Sequence, residues 1–172
     1  MLNIDDFRSG ERTFSMLEQV SGRAGRAEKA GRAVIQTYNP ENGAVDTVKR
    51  HDYREFYRNE ICMRKAMWYP PYCEIVSILI TGRSESITMQ AAGFVKNALR
   101  LLERLKQRTM VLGPVPAYIS KINNKYRYRI MIKCENSDGI TGVLEKMSEA
   151  VDNNKKYERV SVIIDKNSNT MY

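Results

Sequence analysis

Two groups of residues have types and spacings suited to chemistry. The first is Gln19-Val20-Ser21-Gly22-Arg23-Ala24-Gly25-Arg26. Two arginines three apart flank small residues at the end of an expected helix. The guanidinium is a fixed cationic fork that matches phosphate oxygens, and glycine lets a backbone approach a ligand closely. Arg23 and Arg26 are thus candidates to neutralise charge on a transferring phosphoryl group, the arginine-finger role. On charge alone, the same residues also read as a glycine-rich turn with two solvated arginines. The second group lies in residues 118–134, which hold Lys121, Lys125, Arg127, Arg129 and Lys133 and no acid. At the two-residue period of a strand, Lys125, Arg127, Arg129 and Lys133 fall on one face and Tyr126, Tyr128, Ile130 and Ile132 on the other. A cationic sheet face suits a phosphate backbone, with salt-sensitive, sequence-independent binding. Tyr118 or Tyr126 could stack on an unpaired base. An antiparallel sheet with one wet, charged face gives the same alternation, so both readings stand.

The elements that must position these groups follow from periodicity. Residues 11–23 read as a helix with Phe14 and Leu17 on one face, and residues 32–38 as a strand ended by Asn39-Pro40. Residues 51–67 read as a second helix, with Tyr53, Phe56, Tyr57 and Ile61 together. Trp68-Tyr69-Pro70-Pro71 cannot continue it, because adjacent prolines force extended backbone before each ring. Downstream, residues 74–81 read as a strand and Ser84 or Ser86 caps a helix to about Gln107. Residues 111–122 are extended, Asn123-Asn124 is a turn, and residues 126–134 are a strand. A helix begins at Asp138, and residues 159–165 are the last strand. The order β-α-β-β-α-β predicts an α+β, ferredoxin-like domain with an antiparallel sheet and two helices on one face. The expected organisation is a first segment over 1–50, a helical connector over 51–71 and this domain over 72–172.

The chain has 172 residues and net charge +8, with 42% hydrophobic and 28% charged residues. That is ordinary for a globular protein and too apolar for global disorder. The basic excess is uneven, net +2 over residues 1–70 and +6 over 71–172. This points to a polyanion partner or to a solvated basic surface. No apolar run approaches the roughly 18 residues of a membrane span, so a soluble, cytoplasmic protein without a membrane partner is expected. Cys62, Cys73 and Cys134 are widely spaced and His51 is the single histidine, which argues against zinc, any other metal site or a disulfide scaffold. His51, Ser77 and Ser120 have no catalytic partner nearby in sequence, so nothing supports a hydrolase of the nucleophile–base type.

The pattern Q-x-x-G-R-x-G-R resembles motif VI of superfamily 2 helicases. Residues 6–40 (DFRSGERTFSMLEQVSGRAGRAEKAGRAVIQTYNP) look like the end of the helicase core of the PriA family of primosomal replication-restart helicases. Glu60 and Arg64 followed by Tyr69-Pro70-Pro71-Tyr72 resemble that family's connector. Gly113-Pro114 and Tyr126-Arg127-Tyr128-Arg129 resemble its C-terminal domain. The resemblance implies that residues 1–50 are the tail of a RecA-like lobe. Gln19, Gly22, Arg23 and Arg26 would then belong to a nucleotide site, and the later domain to DNA and fork recognition. It also implies ATP-driven 3′-to-5′ unwinding in the intact family protein, with ATP, magnesium and zinc as cofactors. Single-stranded-DNA-binding protein and primosome proteins would be its partners.

The departures are equally specific. There is no G-x-x-x-x-G-K-[ST] phosphate loop, no DExH-type acidic motif and no paired zinc cysteines. Asp165-Lys166-Asn167 stands where the family tends to have D-x-D-P. The chain therefore reads as a C-terminal fragment with no ATPase activity and no cofactor of its own, and whether to class it as an enzyme stays open. Residues 1–50, short of a complete lobe, are expected to dock on the later domain, extend as an arm or exchange with a second copy. The alternative function is a non-enzymatic interaction module whose basic face captures an acidic peptide.

Overall fold

The computed structural model describes residues 6–24 and 32–166, and the chain divides into two compact units, 1–67 and 68–172. Among the described residues the first holds three helices: α1 (Ser9–Ala24), α2 (Gly43–Lys49) and α3 (Tyr53–Ala66). Asn42 caps α2 by accepting from the Ala44 amide, and Asp52 caps α3 by accepting from the Glu55 amide. Phe14 and Phe56 stack with ring centroids 4.3 Å apart, and Ala44 and Val48 close a small core around them. Phe14, Ala44 and Val48 thus contribute to an apolar centre within their own unit. The expected helix runs through Gly22 to Ala24, because a helical glycine costs only about 1 kcal/mol and the flanking residues favour the helix. The strand expected over 32–38 forms no ladder among the described residues. It is mostly exposed, since a strand is completed by a neighbour and the described part of this unit supplies none.

The second unit is mixed α+β. Its strands are β1 (Glu74–Gly82), β2 (Thr109–Ile122), β3 (Lys125–Cys134) and β4 (Val160–Lys166), in spatial order β2-β3-β1-β4 with every pair antiparallel. Helices α4 (Glu85–Ala98) and α5 (Thr141–Asp152) share one core with the sheet. Val76, Ile78 and Ile80 of β1 and Ile130 and Ile132 of β3 point into it, against Ala91, Val95, Leu144 and Met147. Ser84 caps α4. The helix expected to reach Gln107 ends at Ala98 and tightens into a 3-10 turn over Leu99–Arg104, which buries Leu99 and Leu102. The Pro70–Pro71 and Gly113–Pro114 bonds are cis.

The other face of the sheet is not wet along its length. Ile75, Met131, Arg129 and Lys133 are all buried on it. The sequence carries a sign of this in β1, where Ile75-Val76-Ser77-Ile78-Leu79-Ile80 is nearly continuous rather than alternating, the habit of a strand covered on both faces.

Candidate nucleic-acid interface

The hairpin of β2 and β3 carries the five expected DNA cations; the pleat puts the four of β3 on one face, while Lys121 of β2 pairs with Tyr126 on the other. Burial then divides them. Arg129 is 9% exposed and Lys133 only 4%. The Lys133 ammonium lies 3.4 Å from the Tyr69 ring centroid. Burial pushes its pKa below the ordinary lysine value, with Cys73 opposing. A lysine so placed supports an aromatic ring from beneath the sheet surface. Nearby, the Arg108 guanidinium sits 4.1 Å over Trp68, itself buried. Trp68 and Tyr69 therefore work as packed anchors rather than as a stacking platform for bases.

Lys121, Lys125 and Arg127 stay toward solvent at the far end of the hairpin. Lys121 Nζ donates to Tyr126 Oη at 3.2 Å and rides over the same ring. Arg127 donates to the Ile119 carbonyl at 3.2 Å. Their placement depends on an irregular edge. Pairing of β2 with β3 slips between Leu112 and Val115 and again between Pro116 and Lys121. The second slip puts residues 117–120 opposite little more than Arg127, so the edge strand bulges and turns Tyr118 and Ile119 outward, 64% and 53% exposed. Pro114 and Pro116 are the signal, because proline in a strand marks an edge or a bulge. Asn123 and Asn124 both adopt positive φ and close the tip, as asparagine tolerates. The hairpin end carries exposed Lys121 and Lys125 and half-buried Arg127, with exposed Tyr118 in the bulge of the facing strand.

In the first unit, Gln19, Gly22 and Arg23 share one exposed face of α1, set there by i, i+3 and i+4 spacing. A Cβ at Gly22 would meet nothing within 4 Å, so no neighbouring group described here requires that glycine. Arg26 lies outside the described residues. His51, with no catalytic partner nearby in sequence, is exposed and sits with Nδ1 3.1 Å from both carboxylate oxygens of Glu18, a pairing 33 residues apart that sequence proximity could not reveal. Cys62 is exposed and free, Cys73 and Cys134 are buried and free, and no cluster among the described residues could hold a metal ion. No helix among them is long and apolar enough to cross a membrane.

Together these features define an α+β domain with a basic β-hairpin at one edge of its sheet, joined in one chain to a helical unit that exposes Gln19, Gly22 and Arg23. Residues 65–167 match the family described as PriA_C, Primosomal protein N C-terminal domain. The chain belongs to the PriA family. It is 38% identical to "Replication restart protein PriA" of Bacillus subtilis over 96% of its length and 20% of the relative's. It is 39% identical to the protein of that name from Synechocystis, over 77% of this chain and 16% of that one. For the Thermotoga maritima protein the identity is 33%, over 82% of this chain and 18% of the relative. The chain spans about a fifth of the length of the relatives it matches.

Proposed function

We propose that the chain serves replication restart as the C-terminal part of a PriA-type 3′-to-5′ DNA helicase, and that its hairpin arm binds DNA. The observation that carries this is the hairpin itself: seventeen residues, 118–134, without an acid, with Lys121, Lys125 and Arg127 near its turn and an exposed Tyr118 on the facing strand. Cations near an exposed aromatic suit a single strand, the phosphates held by charge and a base by stacking. The names of the relatives support the same role. We read the β2-β3-β1-β4 order with both helices in one core as a ferredoxin-like arrangement, and the first unit as the tail of a RecA-like lobe. Gln19, Gly22 and Arg23, with Arg26, are then part of a nucleotide site whose phosphate loop this sequence does not contain. The chain alone would neither bind ATP productively nor hydrolyse it. Primosome proteins and single-stranded-DNA-binding protein are its proposed partners, and its work belongs in the cytoplasm.

Fluorescence anisotropy of labelled single-stranded and forked DNA, titrated with the whole chain at several salt concentrations, tests the DNA reading. Micromolar affinity with a steep negative salt slope, weakened by Lys121→Gln with Lys125→Gln, is expected. No binding at 50 mM salt would overturn it, and capture of an acidic peptide instead would favour the protein-docking module.

A further inference from the structure

Strand register assembles a cationic surface that neither the hairpin nor any single segment of sequence displays. The ladder ends with Gly82 of β1 opposite Tyr126 of β3 on one side and Val160 of β4 on the other. One residue beyond each of these lie Arg83, Lys125 and Arg159, all exposed. Lys121, paired with Tyr126, reaches the same level from β2. Three segments separated by more than thirty residues in sequence thus bring arginine and lysine to one rim of the sheet. Adjacent strands lie about 4.8 Å apart, so Lys125, Arg83 and Arg159 extend over about 10 Å. That is the scale of about two or three successive phosphates on one strand. Glu85 and Glu158 flank the rim, and Lys155 and Lys156 of the neighbouring 3-10 turn offset them charge for charge.

The opposite end of the sheet is mixed in charge, with Lys133, Arg108 and Lys166 among its carboxylates. Glu74, Glu135 and Asp138 gather there, the Ser137 amide donates to Glu74 Oε2 at 2.8 Å, and Lys166 pairs with Asp138. The two ends are separated by the nine residues of β1, about 27 Å at strand rise. That exceeds the Debye length of about 8 Å at physiological salt several times over. The carboxylates therefore do not cancel the field at the rim.

We infer that Arg83 and Arg159 are phosphate-contacting residues, and that a nucleic-acid backbone crosses the strand ends at this rim instead of lying along the sheet face. This rests on the DNA reading above and extends it to residues outside the hairpin. The test compares the full chain with Arg83→Gln/Arg159→Gln, with Lys121→Gln/Lys125→Gln and with Lys96→Gln/Lys146→Gln. The last pair removes the same charge from exposed positions on α4 and α5. The probe is a fluorescein-labelled 20-nucleotide oligothymidylate, and thermal melts establish that each variant is folded. Loss of two phosphate contacts should flatten the log–log salt slope by about 1.4 and weaken binding about 25-fold at 0.1 M salt. The helix pair should leave the slope within error. If the hairpin pair weakens binding and the Arg83/Arg159 pair does not, or if the helix pair weakens it equally, the rim is refuted while the hairpin reading survives. If the unaltered chain fails to bind the probe, the DNA reading fails and the rim with it.

Discussion

Gly113→Ala should unfold much of what positions the hairpin. Gly113 has φ +99°, and an added Cβ would lie 2.7 Å from the Arg129 carbonyl oxygen and 3.2 Å from the Val115 nitrogen. Both are backbone atoms of the β2–β3 pair, so neither can swing aside as a side-chain end would. Holding a non-glycine residue at such a φ costs about 1–3 kcal/mol. Relieving the contact by bending bond angles adds about 1 kcal/mol for each ~7° of distortion. A destabilisation of about 3 kcal/mol follows, worth roughly 12 °C or more in Tm for a unit of about 100 residues. Trp68 is the single tryptophan and is buried in this unit, so its fluorescence in a urea titration reports the second unit selectively. Gly93→Ala is the matched comparison. It lies on α4, and its Cβ would meet nothing within 4 Å, so alanine should stabilise by about 0.5–1 kcal/mol through helix propensity. A Gly113→Ala cost below 1 kcal/mol, or a shift of the same sign for both variants, would refute the reasoning.

Phe56→Ala should cost about 3–5 kcal/mol in the first unit by emptying the space against Phe14, read as loss of helical circular dichroism at lower denaturant; an unchanged transition would mean the stacked pair is not its core. Cys62, the exposed thiol, should react with a chromogenic disulfide in the native chain, while Cys73 and Cys134 react only in denaturant; fast modification of two or more sites would contradict their burial. Burial raises the Cys134 thiol to about 11 from its usual 9.0, so the folded unit keeps a proton that the unfolded chain releases first. That stabilisation is complete below about pH 9 and lost as pH climbs toward 11, on the order of 2 kcal/mol. Stability against urea between pH 8 and 10.5 should fall less steeply in Cys134→Ala than in the unaltered chain, and parallel slopes would remove Cys134 from the account. Arg108→Gln should lower Tm by a few degrees and shift Trp68 emission to the red, since a cation over an indole contributes about 0.5–1 kcal/mol at an exposed site; identical emission would show that Arg108 does not shape the Trp68 environment.

Local periodicity made much of the second unit legible. The strands at Glu74, Lys125 and Val160 and the helices α4 and α5 begin within a residue or three of where alternation, Ser84 and the apolar stripes put them. In the first unit α2 was not foreseen, because seven residues give too little repeat for a helical period to show. The strand over 32–38 has strand-like residues, yet pairing is a property of two segments and one sequence stretch does not contain it. At the hairpin, alternation separated cations from tyrosines and isoleucines, but it could not say that Tyr69 lies over Lys133. Arg83 and Arg159 escaped for the same reason: each is one ordinary basic residue, and only the register of β1 with its two neighbours puts them side by side.

The central strand also sets a schedule. β1 is the first of the four strands to be synthesised, and one of its two neighbours, β4, is the last. Gly82 waits for Val160, 78 residues later. At the usual 5–20 residues per second of translation that interval is about 4–16 s. During it, one edge of an apolar strand is open and the sheet cannot be completed by any local folding event. The hairpin of β2 and β3 can close β1 from the other side well before then. A nascent chain of this domain therefore passes through a three-stranded stage with Ile78 and Ile80 on its rim, and that stage is where a chaperone or a wrong partner would find it.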